Sequence, residues 1–252
     1  LKKTLSTGTQ PDPMLRVGVI GASGRMGSEV CRAVEAQDDL ELAVRIEHGD
    51  ELAELDGAVD VAVEFTVPSS VEQNVRFCLD KKLPTVVGAT GLSDDTLTDL
   101  GASAEAAGVG LFVAPNFAVG AVLMMRFAAA AAPFFERAEI VERHHENKVD
   151  SPSGTALRTV SEMNSARREP WASGDDDGVA RGMDVGGIQV HSLRLPGSVA
   201  HQEVLLGTTG ETLSIRHDSL DRASFMPGVL LAIRKVTSLD GLVIGLENLL
   251  EL

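Results

Sequence analysis

The chain has 252 residues, 44% of them hydrophobic and 23% charged, with 25 glycines and a formal net charge of −15 at pH 7. Such a chain forms one or two domains and buries a sizeable core, as α/β proteins do. Its acidity excludes nucleic acid and anionic membrane as principal partners, and no apolar run reaches the roughly 18 residues that a membrane span requires.

Residues 1–13, LKKTLSTGTQPDP, lack the apolar stretch of a signal peptide and read as a disordered tail, with Met14 standing where a natural start would fall. Arg16–Ile20 is a short β-branched run, read as a buried strand. GASGRMG follows, then a helix over Ser28–Ala36. Leu40–Ile46 alternates as a second strand and Val59–Phe65 forms a third. A helix over Val71–Lys81 leads to the strand Thr85–Val87, and a helix over Thr96–Ala107 leads to Val109–Ala114. Strands alternating with helices imply parallel βαβ units, hence an α/β fold with a Rossmann-like, doubly wound parallel sheet.

Beyond Asn116 the texture changes. An Ala-rich helix over Gly120–Phe135 precedes a strand at Ala138–Glu142 and a helix over Ser153–Ala166. Arg167–Gly187 is rich in Gly and Asp and reads as a loop, either a lid or simply disordered, with Trp171 as a local anchor. Three strand-like segments come next, Gly187–Arg194, Ala200–Gly207 and Glu211–His217. They predict an α+β domain with an open mixed or antiparallel sheet. A helix over Phe225–Thr237 and a strand at Leu242–Leu246 rejoin the first sheet. The expected domains are therefore 14–117 with 228–252, for a dinucleotide, and 118–227, for a substrate.

Gly21, Gly24 and Gly27 make a G-x-x-G-x-x-G variant of the dinucleotide fingerprint. The tight turn needs glycine, the backbone must approach a pyrophosphate, and the following helix start attracts the anion. Glu47, at the end of the second strand, suits the adenosine ribose hydroxyls and favours NADH. It would repel a 2′-phosphate, although Arg25 and His48 offset that repulsion and keep NADPH open. The plainer readings are a structural turn and a solvated strand end. Gly88, Ala89 and Thr90, and then Ala114, Pro115, Asn116 and Phe117, end two later strands, where such sheets carry their ligands.

The segment IVERHHENKVDSPSGTA sets His144 and His145 ahead of Lys148 and a Ser-Pro-Ser-Gly-Thr turn. Pro152 breaks the preceding element, Ser153 can cap a helix, and Gly154 and Thr155 offer N–H groups at its positive end. That arrangement takes a carboxylate or a phosphate. Lys148 supplies a point charge or a proton, Asp150 restrains it or the loop, and a histidine suits proton transfer near neutral pH. Strand neighbours point to opposite faces, so only one of the two histidines serves a site if the strand runs through both. The His and Cys positions show no spacing that converges on a metal.

ERHHENKVDSPSGTA resembles the signature of the dihydrodipicolinate reductase family, roughly E-x-H-H-x-x-K-x-D-x-P-S-G-T-A. GASGRMG, GATG and APNFAVGAVL resemble that family's cofactor segments, in the same order, and the likeness runs from Met14 to the end through VAHQEVLLGTTGETLSIRHDSLDRASF. The resemblance implies reduction of 4-hydroxy-tetrahydrodipicolinate, via dihydrodipicolinate, to tetrahydrodipicolinate by a hydride from NADH or NADPH, in the diaminopimelate route of lysine biosynthesis. It implies a cytoplasmic homotetramer joined through the C-terminal sheet, with a nucleotide domain that closes on the other. His144 would be the proton donor and acceptor, Lys148 a second donor and His145 a substrate contact, while Ser153, Gly154 and Thr155 hold a carboxylate. The cofactor would touch Gly21, Ala22, Ser23, Gly24, Arg25, Met26, Glu47, Gly88–Thr90 and Ala114–Phe117. Two departures bear on it. GATG replaces the more usual GTTG, removing a hydroxyl, and Ser23 stands where some relatives carry a basic residue, which leaves a 2′-phosphate to Arg25.

Two other functions fit the same outline. A semialdehyde dehydrogenase-like reductase would need a nucleophilic cysteine, and Cys31 and Cys78 both fall on helices away from the expected site. A nucleotide-sensing protein without turnover would not need the His-Lys-Ser-Gly-Thr constellation. Arg216, His217 and Arg222 read as structural or interface residues.

Overall fold

A computed structural model describes residues 14–172 and 179–250. The expected tail at 1–13, and 173–178 of the expected loop, lie outside the described residues. The chain divides into two units: residues up to Val113 together with Leu230–Ile244, and Ala114–Val229 together with the residues from Gly245 on. The first boundary falls close to the expected 117/118. The segment after Ile244, expected with the first domain, groups with the second unit.

The first unit is built on β1 (Leu15–Ile20), β2 (Leu40–Ile46), β3 (Val61–Glu64), β4 (Thr85–Val87), β5 (Gly110–Val113) and β11 (Gly241–Ile244), in the order β11-β5-β4-β3-β1-β2. Every pairing is parallel. The three central strands β3, β4 and β5 are buried at every position, as strands covered on both faces must be. The edge strand β2 alternates instead, because one of its faces meets water. Helices α1 (Gly27–Glu35), α2 (Val71–Asp80) and α3 (Asp94–Ala107) make the crossovers. α3 shows how local chemistry sets its ends. The Ser93 hydroxyl accepts from the Thr96 N–H at 3.2 Å, Asp94 and Asp95 fill the first turn, and Gly108 closes the helix in the left-handed region.

In the second unit α4 (Val119–Ala131) packs against α5 (Gly154–Ala166), and the small residues Ala128 and Ala132 are fully buried there. Its sheet holds β6 (Arg137–His144), β7 (Met183–Val185), β8 (Ile188–Arg194), β9 (Ala200–Thr208) and β10 (Glu211–Ser219) in the order β10-β9-β6-β8-β7. The β6–β8 pair is parallel and the rest antiparallel, an open mixed sheet. Along β6 the inward positions are Ala138, Ile140 and Glu142, in period two, so a glutamate stands where the pattern calls for a hydrocarbon. The helix α6 (Met226–Val236) returns the chain to the first sheet through β11.

Two expectations are revised. The strand before the histidines runs on to His144, because β9 pairs with it through His144↔Ala200. Within the expected loop 167–187, residues Val179–Arg181 form a 3-10 turn and β7 adds a short strand against β8. Trp171 does act as an anchor. It is buried, donates from its indole nitrogen to Asn164 at 2.7 Å and lies 3.8 Å from the Arg167 guanidinium.

Candidate active site

At the C-terminal edge of the first sheet a cavity of about 650 Å³ is lined by the loop after β1, by Ile46–Asp50, by Phe65–Val67 and by Gly88–Thr90. The loop is held by its own backbone. The N–H groups of Gly21 and Ala22 both donate to the Ile46 carbonyl, at 2.9 and 3.1 Å, and that of Gly24 donates to Gly21 at 3.0 Å. The loop continues through Ser23, Arg25 and Met26 along the cavity to the start of α1, the kind of backbone that attracts anions. Gly21 adopts φ +84°, and a Cβ on Gly27 would lie 2.0 Å from the Gly21 carbonyl oxygen, so neither position accepts a side chain without moving the loop. Glu47 and His48 are exposed on the cavity's rim, and Asp50 accepts from the Glu47 N–H at 2.8 Å. Size, sheet edge and glycine turn all fit a dinucleotide.

Behind this cavity Glu64 ends β3 with no exposed surface. It accepts from the Thr66 N–H at 3.1 Å, from the Thr66 hydroxyl and from the Asn74 amide at 3.0 Å. Thr66 and Asn74 both line the cavity, so this carboxylate fixes two of its walls.

The second constellation forms where β6 ends and α5 begins. Glu142 has no exposed side-chain surface. One of its oxygens accepts from the Ser153 N–H at 3.2 Å and from Arg194 Nη2 at 2.8 Å. The other accepts from Arg194 Nη1 at 2.9 Å and meets His144 Nδ1 at 2.6 Å. Burial pushes the Glu142 carboxyl up, but hydrogen bonds from His144, Arg194 and Ser192, with the charge of His144, outweigh it and bring it down to about 2. Arg194 also donates to the carbonyls of Lys148 and Asp150, at 3.3 and 2.7 Å, and so ties down the loop between strand and helix.

On that loop the Lys148 ammonium holds both oxygens of Asp150, at 2.7 and 2.9 Å. Lys148, with smaller help from the N–H groups of Asp150 and Gly154, keeps the Asp150 carboxyl below its usual range against slight burial. Ser153 caps α5, its hydroxyl accepting from the Ala156 N–H at 3.2 Å. Gly154 is exposed, with nothing within 4 Å of where a Cβ would stand, and Thr155 accepts from the Asn116 amide at 3.5 Å. The helix start is exposed at Gly154, and two carboxylates of its own chain already lie against it, Glu142 at the Ser153 N–H and Asp150 toward Gly154.

The expected residues thus gather in two groups. Gly21, Ser23–Met26, Glu47 and Gly88–Thr90 line the cavity, whereas Ala22 is buried beneath it. Ala114–Phe117 do not line it and belong to the second unit, where Asn116 reaches Thr155. His144, Lys148, Ser153, Gly154 and Thr155 share one turn of chain, and His145, just past the strand, is exposed. Sequence reasoning missed Glu142, Arg194 and Glu64. For Glu142 the signal was there: it lies two residues before His144 on a strand, hence on the same face. Both cysteines are buried. Burial pushes the Cys78 thiol up to about 12 and raises that of Cys31, which makes poor nucleophiles of both. Among the described residues no three His, Cys, Asp or Glu side chains are grouped to hold a metal ion, and no helix is long and apolar enough to cross a membrane.

Comparison with known proteins closes the geometry. The family model described as dihydrodipicolinate reductase, N-terminus, matches residues 15–117, and that described as dihydrodipicolinate reductase, C-terminus, matches residues 120–250. The chain is 51% identical over 246 residues to a 4-hydroxy-tetrahydrodipicolinate reductase of Streptomyces avermitilis, covering 94% of this chain and 98% of that one. It is 51% identical over 247 residues to the protein of that name from Mycobacterium sp. (strain KMS), covering 94% and 100%. A solved dihydrodipicolinate reductase from Paenisporosarcina sp. TG-14, with dipicolinate bound, superposes with a TM-score of 0.85 at 36% identity, covering 94% of this chain and all of that one.

Proposed function

The chain belongs to the dihydrodipicolinate reductase family, and from that membership we infer that it reduces 4-hydroxy-tetrahydrodipicolinate to tetrahydrodipicolinate, with loss of water, in the diaminopimelate route of lysine biosynthesis. A nicotinamide dinucleotide, NADH or NADPH, supplies the hydride. The residues for it are the amides of Ser23, Arg25 and Met26 for the pyrophosphate and Glu47 for the adenosine ribose, with Gly88–Thr90 forming a further part of the wall.

The chain's own chemistry lies in the second unit. The start of α5 and the Lys148 ammonium receive a carboxylate of the substrate, and the capture of Asp150 by the same two groups supports that role. Substrate therefore has to displace Asp150 from Lys148. After hydride addition to the conjugated C=C–C=N system an enamine carbon must take a proton, and His144 or Lys148 delivers it. His145, exposed beside them, contacts the substrate.

The observation that carries this reading is that residues 144–155 bring an imidazole, an ammonium and an open, capped helix start onto one turn of chain. Stopped-flow oxidation of NADH and of NADPH with freshly made substrate tests it. His144→Ala should lower kcat about 10²–10⁴-fold with KM little changed. Lys148→Ala should raise KM and lower kcat together. Wild-type kcat in His144→Ala removes the proton-donor role, and unaltered KM in Lys148→Ala removes the carboxylate contact. A protein that binds dinucleotide but never oxidises it would be a sensor.

The assembly we propose is a homotetramer joined through the second sheet. Its support is the sheet face turned away from α5, where Val141 and the exposed Leu193 sit among His191, Arg143 and Arg216. We propose a cytoplasmic location with it, where a freely diffusing dinucleotide would be at hand. Light scattering of the purified protein tests the tetramer, and a stable monomer would refute it.

A further inference from the structure

Glu142 and Arg194 have no part in the chemistry above, yet between them they touch His144, the Ser153 cap of α5 and the backbone of Lys148 and Asp150. Each oxygen of Glu142 has at least two donors, and Ser192 adds a hydrogen bond to the carboxylate. One oxygen takes the Ser153 N–H and Arg194 Nη2, the other takes Arg194 Nη1 and His144 Nδ1. An ionised carboxylate offers acceptors only, so Nδ1 of His144 must carry its hydrogen and Nε2 is the nitrogen left to exchange a proton with substrate.

We infer that Glu142 is a positioning residue that selects the reactive nitrogen of His144 and ties it to the start of α5, with Arg194 keeping Glu142 charged and in place. The inference rests on His144 being a proton donor. The step balances simply: the proton on Nε2 of the imidazolium passes to the substrate carbon, and a neutral imidazole remains with Nδ1–H on Glu142. The carboxylate offsets the ring's positive charge while it lasts, as the buried acid of a nucleophile–histidine–acid triad does. Other charged groups around His144 are Arg194 on β8 and Lys148 and Asp150 on the loop that follows. β9 presents the neutral Ala200 opposite it, and the cap of α5 contributes the Ser153 N–H at this carboxylate.

The geometry makes an unusual prediction for Glu142→Gln. Arg194 and the Ser153 N–H can only donate, so the new amide nitrogen must turn away from the oxygen they share. At the other oxygen Arg194 Nη1 also only donates, but the imidazole beside it can reverse its role, so the amide nitrogen loses one contact there instead of two. The amide therefore donates to Nδ1, and the neutral ring is forced to carry its hydrogen on Nε2.

The test is 15N NMR of histidine-labelled protein at alkaline pH, where the ring is neutral, with the His144 signals assigned by their loss in His144→Ala. The wild type should show Nδ1–H and Glu142→Gln Nε2–H. The variant's kcat should fall about 100-fold or more and its pH profile should change shape, while Glu142→Asp restores the wild-type tautomer and part of the rate. A wild-type ring bearing its hydrogen on Nε2 overturns the inference without any variant, so a Glu142→Gln protein that fails to fold leaves the test intact. A folded Glu142→Gln protein with Nδ1–H also overturns it. If the tautomers follow the prediction but His144→Ala keeps its kcat, the proton-donor reading fails instead.

Discussion

Glu64 of the first unit and Glu142 of the second are both sealed from solvent, both stand near the C-terminal end of a strand, and both back a ligand site. Their partners differ in kind. Glu64 is held by an amide side chain, a hydroxyl and a backbone N–H, all neutral. Glu142 has a two-pronged guanidinium and an imidazole. The contrast follows from what each site must do. The nucleotide site has to fit a large anion that brings its own charge, so it relies on backbone dipoles and steric room. Under the proposed function the second site would neutralise carboxylates and move a proton, which needs side-chain charges held in fixed relation. Shape governs one unit and charge the other.

The sharpest way to break that contrast is to remove the charge. In Arg194→Met the Glu142 carboxylate stays buried with the imidazole as its only charged partner among those named, beside the neutral Ser153 N–H and Ser192. Losing one partner of a buried ion pair costs about 3–5 kcal/mol. Asn74→Ala removes one neutral donor from Glu64 and should cost only about 1 kcal/mol. The chain's single tryptophan, Trp171, lies in the second unit, so its fluorescence in urea reports that unit's unfolding. An Arg194→Met midpoint within error of wild type would abolish the distinction.

Acid probes the same charge without a mutation. The Glu142 carboxyl lies at about 2 in the folded protein, below its ordinary 4.5. A depressed carboxyl stabilises the fold fully above its unfolded value, and that stability is lost as pH falls through the folded one. Between pH 4.5 and 2 this group alone should withdraw about 3 kcal/mol from the second unit. Urea titrations read by Trp171 should show that slope, and Glu142→Gln should flatten it.

Much of the first unit was legible because local signals suffice there. β-branched runs mark its strands, apolar spacing marks its helices, and the glycine turn marks the strand-to-helix loop that lines the cavity. The His144–Thr155 turn was legible for the same reason, since its residues are contiguous. Arg194 was not, because it meets Glu142 through the parallel register of β6 and β8, which aligns His144 with Arg194 and Glu142 with Ser192. That register depends on tertiary pairing and on a connection that includes all of α5. Glu64 was hidden differently: it ends an apolar run, and its donors come from the next turn and from α2.

Steric room in the nucleotide unit can be tested separately. Gly27→Ala would set its Cβ 2.0 Å from the Gly21 carbonyl oxygen, a backbone atom that cannot rotate away. The loop must shift, and NADH affinity, followed by the nucleotide's fluorescence, should fall about tenfold or more, about 1.4 kcal/mol. Trp171-detected unfolding should not change. If Gly27→Ala bound NADH as tightly as wild type, close backbone approach would not be what shapes this site.

The smallest effect concerns the exposed side-chain charges on the rim of the first unit's cavity, Glu47 first among them. Glu47 is exposed on the rim, so its hydrogen bonds to ribose hydroxyls compete with water and should contribute a factor of about five to ten in affinity. A 2′-phosphate would meet the same carboxylate with like charge, with Arg25 and His48 opposing that repulsion from the same rim. Glu47→Ala should therefore weaken NADH and leave NADPH unchanged or tighter, shifting the ratio of the two kcat/KM values toward NADPH. Arg25→Ala should shift it the other way. Because all these groups are exposed, both shifts should shrink as salt rises, unlike the effect of Glu142→Gln, whose charge is screened by protein alone. Equal losses for both cofactors in Glu47→Ala would mean that the carboxylate holds the loop through its own backbone rather than reading the ribose.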